Sequence, residues 1–217
     1  MRLNKGKNLC LKDKRSIFIE STVVIGDNVT IYENNRIEGN TVIKDGAVIM
    51  PGCYIKDTVI GENSVINHSQ SESATVGKDC YVGPFARLRP KAVVCDKAKI
   101  GNFVEIKNAT IGEGSKVNHL AYVGDADLGK DCNIGCGAIF VNYNGRTKSR
   151  TVVGDECFIG SNCNVIAPVN IASRSYICAG TTITNDVNTD DFVIGRVRQE
   201  VKENRAHLYL KEKKESK

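Results

Sequence analysis

The chain contains no tryptophan, and aromatic residues make up only 6% of its 217 residues. A core with so few large rings has to be assembled from something smaller and more regular. No C-x-x-C pair occurs, which removes zinc-ribbon and thioredoxin-like motifs. The nine cysteines are odd in number and irregularly spaced, so a secreted disulfide scaffold does not fit and free thiols in a reducing cytoplasm do. No apolar run approaches the roughly 20 residues that span a bilayer. The N-terminal segment Met1–Arg15 lacks the apolar stretch of a signal peptide. Formal charge is a mild +5, with no long basic block before the last seven residues, and nothing in it calls for a nucleic-acid partner.

What the chain does have is a repeat. Beginning at Ile25, an aliphatic residue returns every six positions: Ile31, Ile37, Ile43, Ile49, Ile55. After a step of five the series continues through Ile60, Ile66, Val76, Val82, Leu88, Val94, Ile100 and Ile106. It then runs by way of Ile111, Val117, Val123, Leu128, Ile134 and Phe140 to Val153, Ile159, Val165, Ile171, Ile177 and Ile183. Of these 26 positions 23 are Val or Ile, and glycine follows 11 of them. The slot four residues later is usually small and holds Cys53, Cys80, Cys132, Cys157 and Cys163, which reads as packing.

A period of six matches neither a helix at 3.6 nor a half-buried strand at 2. It matches a short strand and a bend, three of which close a triangular coil. Coils stacked at about 4.8 Å make an all-β parallel β-helix, a prism on the order of 40 Å long. The period leaves the hand open; the known class with this repeat is left-handed. Residues 1–20 form an irregular lead-in, 21–187 the β-helix, and 188–217 a C-terminal tail with a short helix near Val197–Leu210 and disorder over Lys211–Lys217. Extra residues around Ser69–Glu72 and within Val141–Arg150 predict two surface loops, and such loops often carry function.

Stacking converts spacing into proximity. Leu88 and Ile106 are one coil apart, so Arg89 and Lys107 meet on one corner, where like charges repel and an anion such as phosphate relieves the cost. The same reasoning gathers His119, Tyr122, Asn133, Asn142 and Tyr143 on that side of the prism, beside the longer loop. Histidine is the side chain suited to general-base work at cellular pH.

The segments Gly83–Pro90, Gly101–Lys107, His119–Ala126 and Asn142–Gly145 resemble the acetyltransferase domain of the bifunctional enzymes that make UDP-N-acetylglucosamine. The resemblance runs from about residue 20 to residue 197. It implies a homotrimer of left-handed β-helices with active sites between subunits, acetyl-CoA as donor, glucosamine 1-phosphate as acceptor, and no metal for the acetyl transfer. By the same resemblance His119 is the base. Arg89, Lys107, Tyr122 and Asn133 hold the sugar phosphate, joined by Lys148 from another subunit. Cys136, Asn142, Tyr143, Ser161, Ala179 and Arg196 line the acetyl-CoA site.

The chain departs from that family pattern at Asn118, Cys136, Asn144 and Arg198. It also lacks the G-x-G-T-R loop of the uridylyltransferase domain, so uridylyl transfer is not attributed to this chain, and a separate uridylyltransferase is one candidate partner. Whether the chain is a stand-alone enzyme or an excised domain stays open. Three other readings compete. One is an acetyltransferase with a different amino-sugar acceptor. Another is a non-catalytic β-helix scaffold. The third is a zinc β-helix enzyme of the γ-carbonic-anhydrase kind, for which the three histidines His68, His119 and His207 would have to converge.

Overall fold

The computed structural model describes residues 4–210, so the expected disorder of Lys211–Lys217 lies outside the described residues. Most strands are only two or three residues long, as a six-residue unit of strand and bend requires. Pairing between them is parallel: Val24 pairs with Val42, Val42 with Val59, and Val59 with Thr75. These partners lie 18, 17 and 16 residues apart, one coil each, shortened wherever a step of five replaces a step of six. The result is a parallel β-solenoid, consistent with the left-handed β-helix of the repeat class.

Three faces build it. The first is a ten-stranded sheet running from Asn4–Lys5 to Val169–Ile171. The second and third join into one sheet because two long strands, Lys99–Lys107 and Lys116–Gly124, continue around the corner between them. Those two strands pair along their whole length, from Lys99↔Lys116 to Lys107↔Gly124. Close approach at that corner needs Gly101, where a Cβ would lie 1.9 Å from the Asn118 carbonyl oxygen.

Every aliphatic or Phe position of the repeat is buried, and Phe140 is the largest fully buried side chain. The five cysteines in the small slot are buried too, and burial pushes the thiols of Cys53 and Cys80 up to about 11.

Two expectations need correction. Residues 69–72 are not a surface loop: Gln70–Glu72 is a strand paired with Tyr54–Lys56 and Arg87–Leu88. Ser71 takes the inward position there, and its hydroxyl is satisfied by Thr58 Oγ1 at 3.1 Å, so a polar residue continues the repeat unseen by a search for apolar ones. The tail is not helical over 197–210; those residues hold only a three-residue 3-10 turn, Ala206–Leu208, with no buried side chain.

Candidate active site

The third face has two borders, and the predicted site residues divide between them. At the border with the second face, register fixes a column one coil at a time. Asn102 pairs with His119, and the pairings Val117↔Ile134↔Ile159↔Ile177 carry the column on to Cys136, Ser161 and Ala179. Backbone bonds confirm the sequence: Asn162 N–H donates to the Cys136 carbonyl and Gly180 N–H to that of Ser161, both at 2.8 Å. Arg196 closes the column by donating from Nη1 to the Ala179 carbonyl at 2.9 Å. The predicted base and four of the six residues assigned to acetyl-CoA therefore stand in one exposed file.

His119 is exposed, and its Nδ1 lies 3.0 Å from Asn102 Oδ1. The tautomer that satisfies this contact carries its proton on Nδ1, which leaves the Nε2 lone pair outward. Asn102 was present in the motif read from the sequence but had no role assigned; its register pairing with His119 was the available signal.

The opposite border carries the cations. Arg89 donates to the Ile106 carbonyl from its backbone, and Lys107 pairs with Gly124. Tyr122 leans the same way, since its hydroxyl lies 2.4 Å from where a Gly124 Cβ would be; only glycine leaves that room. Lys148 lies beside Lys107 within the same chain. That contact, then desolvation, holds the Lys107 ammonium below the ordinary lysine value, against the attraction of Asp125.

The charges are better balanced than the sequence suggested. Arg89 Nη1 donates to Glu105 at 2.7 Å, which raises the guanidinium pKa further. Asp125 is buried. Desolvation pushes its carboxyl up, but hydrogen bonds from the Asn108 and Asn142 amides and the charges of Lys107 and Lys148 outweigh it and leave the pKa below the usual aspartate value. Repulsion between stacked cations is thus relieved by two acids that the sequence reading left without roles.

Between the two borders lies a cleft of about 480 Å³ lined by Phe103, Glu105, Leu120, Ala121, Tyr122 and Ile139 among others. Beyond the corner at Leu120, the extended chain from Ala121 to Gly124 spans about 10 Å. Arg89 shortens the gap by reaching to Glu105, the register partner of Tyr122.

Three predicted residues fall elsewhere. Asn133 stands on the second face, in register with Lys116 and Phe158, around the corner from Arg89 and Lys107. Asn142 is buried at the cation border, its amide given to Asp125. Tyr143 is exposed in the loop, its hydroxyl donating to the Gly145 carbonyl.

The border with the second face also bears an apolar ridge. Phe85, Phe103 and Leu120 occupy a corner position with positive φ, of 60°, 57° and 38°, where 12 of the 18 other described non-glycine residues with positive φ are Asn or Asp. Bulky residues rarely adopt this conformation. All three are more than half exposed, and the two phenylalanines stack at 5.7 Å. Among the described residues no three metal-ligating side chains converge.

The bacterial transferase hexapeptide family (six repeats) matches residues 150–185. The bifunctional protein GlmU of Clostridium acetobutylicum is 48% identical over 147 residues, which is 68% of this chain and 32% of that protein. GlmU of Clostridioides difficile is 44% identical over 191 residues, 88% of this chain and 42% of its own. The chain therefore spans less than half the length of these relatives. A UDP-N-acetylglucosamine acyltransferase structure from Bacteroides fragilis superposes with a TM-score of 0.55 at 19% identity, covering 83% of this chain and 70% of that one. At that identity the likeness speaks to the fold.

Proposed function

We propose that this chain, a hexapeptide-repeat relative of the bifunctional GlmU proteins, transfers the acetyl group of acetyl-CoA to the amine of glucosamine 1-phosphate. The observation that carries this reading is the pair of borders on one face: a base and a donor file on one side, a cation cluster on the other, with a cleft between. A phosphate monoester held by Arg89, Lys107, Lys148 and the Tyr122 hydroxyl would leave a neighbouring sugar carbon, and its amine, in the cleft facing His119.

In this reading the substrate ammonium first releases one proton to bulk water, and the free amine then gives a second proton to His119 Nε2 as its nitrogen attacks the thioester carbonyl. A C–N bond forms, the tetrahedral oxyanion collapses, and the C–S bond breaks. The imidazolium then returns its proton to the CoA thiolate. Asn102 holds the imidazole in the required tautomer. Backbone N–H groups of the donor file serve the oxyanion, as Asn142 is engaged with Asp125. Acetyl-CoA lies along Cys136, Ser161 and Ala179 toward Arg196.

The assembly in this proposal is a homotrimer. The exposed Phe85–Phe103–Leu120 ridge supplies an apolar contact surface, and a second subunit could bring its Asn133 face against the cation border of the first. The reading places the protein in the cytoplasm.

The deciding experiment measures thiol release from acetyl-CoA with glucosamine 1-phosphate, using glucosamine and glucosamine 6-phosphate as comparison acceptors. Turnover with the 1-phosphate at least tenfold above both others is expected. Equal use of unphosphorylated glucosamine would reject the cation cluster as an acceptor site and favour a different amino sugar. No thiol release with any acceptor would favour the scaffold reading.

A further inference from the structure

We propose that Asp125 and Asp127 are positioning residues that clamp both feet of the 142–150 loop and so set Lys148 beside Lys107 as a two-lysine phosphate subsite. The entry foot is Asn142, whose amide donates to the buried Asp125 carboxylate. The exit foot is Arg150, whose guanidinium forks onto the Asp127 carboxylate through Nε and Nη2. Such a planar fork fixes direction as well as distance.

Asn108, one coil earlier, ties the two feet together. Its side-chain amide donates to Asp125, and its carbonyl oxygen accepts from Arg150 Nη1 at 3.0 Å. The backbone joins in: Asp125 N–H donates to the Lys107 carbonyl and Thr151 N–H to that of Asp125, at 3.0 and 3.1 Å. Three successive coils are thus bolted at one point, directly under the cations.

The loop between the feet is itself closed. Ser149 N–H donates to the Asn142 carbonyl at 2.9 Å, Tyr143 and Lys148 form an antiparallel bridge, and the Asn144 side chain accepts from the Arg146 and Thr147 N–H groups. A closed loop with fixed feet gives Lys148 one place to be. That place is next to a like charge, which an isolated exposed lysine would leave for water. The carboxylate of Asp125 faces both ammonium groups and offsets their repulsion while no phosphate is bound.

The substrate assignment rests on the acetyl-transfer reading; the clamp itself rests on the hydrogen bonds. The test therefore has two arms, run on the full chain with Asp125→Asn and, because Arg150 is exposed and its loss leaves the core untouched, Arg150→Gln. In steady-state kinetics each variant should raise KM for glucosamine 1-phosphate about tenfold, the loss of one charge-assisted interaction, with KM for acetyl-CoA unchanged. In hydrogen exchange and limited trypsinolysis each should speed exchange of the 143–148 amides and cleavage after Arg146 and Lys148.

Faster exchange and cleavage with a KM rise confined to the sugar phosphate support the proposal. Exchange and cleavage at wild-type rates in Arg150→Gln overturn the clamp, whatever Asp125→Asn does. Faster exchange with both KM values unchanged overturns the phosphate subsite. If the wild-type chain does not acetylate glucosamine 1-phosphate, the activity reading fails, and the exchange arm alone still decides whether the clamp exists.

Discussion

Removing the imidazole of His119 separates chemistry from folding more sharply than any other single change. The side chain is exposed and makes one polar contact, the 3.0 Å approach to Asn102. Nothing packs on it in the core, so His119→Ala should move Tm by no more than a few degrees. General-base assistance contributes about 10²–10⁴ in rate, equivalent to about 2.7–5.5 kcal/mol of barrier. Turnover of glucosamine 1-phosphate should fall by at least a hundredfold at saturating acetyl-CoA, while KM for the phosphate acceptor changes little, because the cations sit on the opposite border. Asn102→Ala keeps the base but releases its ring, and one hydrogen bond of orientation is worth about fivefold. The assay is thiol release followed continuously, paired with a thermal melt of each variant. Wild-type turnover in His119→Ala with an unchanged melt would show that the proton leaves by another route.

Three further outcomes follow from the same geometry. Phe140→Ala opens a cavity at a fully buried position between the coils that carry the site, and should cost about 3–5 kcal/mol, read as a lowered denaturation midpoint. Arg196→Ala should raise KM for acetyl-CoA and leave that for the sugar phosphate unchanged, since Arg196 ends the donor file, where it donates to the Ala179 carbonyl. For pH, Lys107 is held below the ordinary lysine value chiefly by Lys148. Its charged form is therefore disfavoured in the fold, a cost present below the folded pKa that disappears as pH rises from there to the unfolded value. Phosphate-acceptor affinity should accordingly decline on the alkaline side at a lower pH than an ordinary lysine would give, and Lys148→Ala should shift that decline upward, as seen in the pH dependence of kcat/KM.

The fold was legible because the repeat is written in one residue class. An aliphatic side chain every six positions is a statement about the core, and the core accepted all of them. The reading failed where the core position was polar. Ser71 keeps the period only because Thr58 satisfies its hydroxyl, and a hydrophobic search sees a gap there. The donor file was partly legible in the same way, since coil arithmetic relates Cys136, Ser161 and Ala179, but the steps of five and the loop disturb the count. Register settled that His119 belongs to this file and that Asn133 belongs to another face. Arg89 and Lys107 were placed correctly by column, whereas their partners were not, because pairing is decided by how far a long side chain reaches.

That difference changes the argument for a phosphate. Two bare cations stacked on a corner would demand an anion to exist at all. Here Arg89 has Glu105, and Lys107 with Lys148 has Asp125, so three positive groups face two negative ones. The cluster is nearly balanced by the protein's own acids, with an excess of one positive charge. In the proposed reading a phosphate monoester, with about −1.5 to −2 charges near neutral pH, overcompensates that excess, so its binding would repartition hydrogen bonds and draw Arg89 Nη1 from Glu105 to the ligand. Affinity is then set by the competition between a carboxylate and a phosphate for one guanidinium. Glu105→Gln weakens the competitor without touching the donors, and should tighten inorganic phosphate binding, measured calorimetrically, by a few fold. Weaker phosphate binding in that variant would mean that Glu105 serves to aim Arg89 rather than to compete for it.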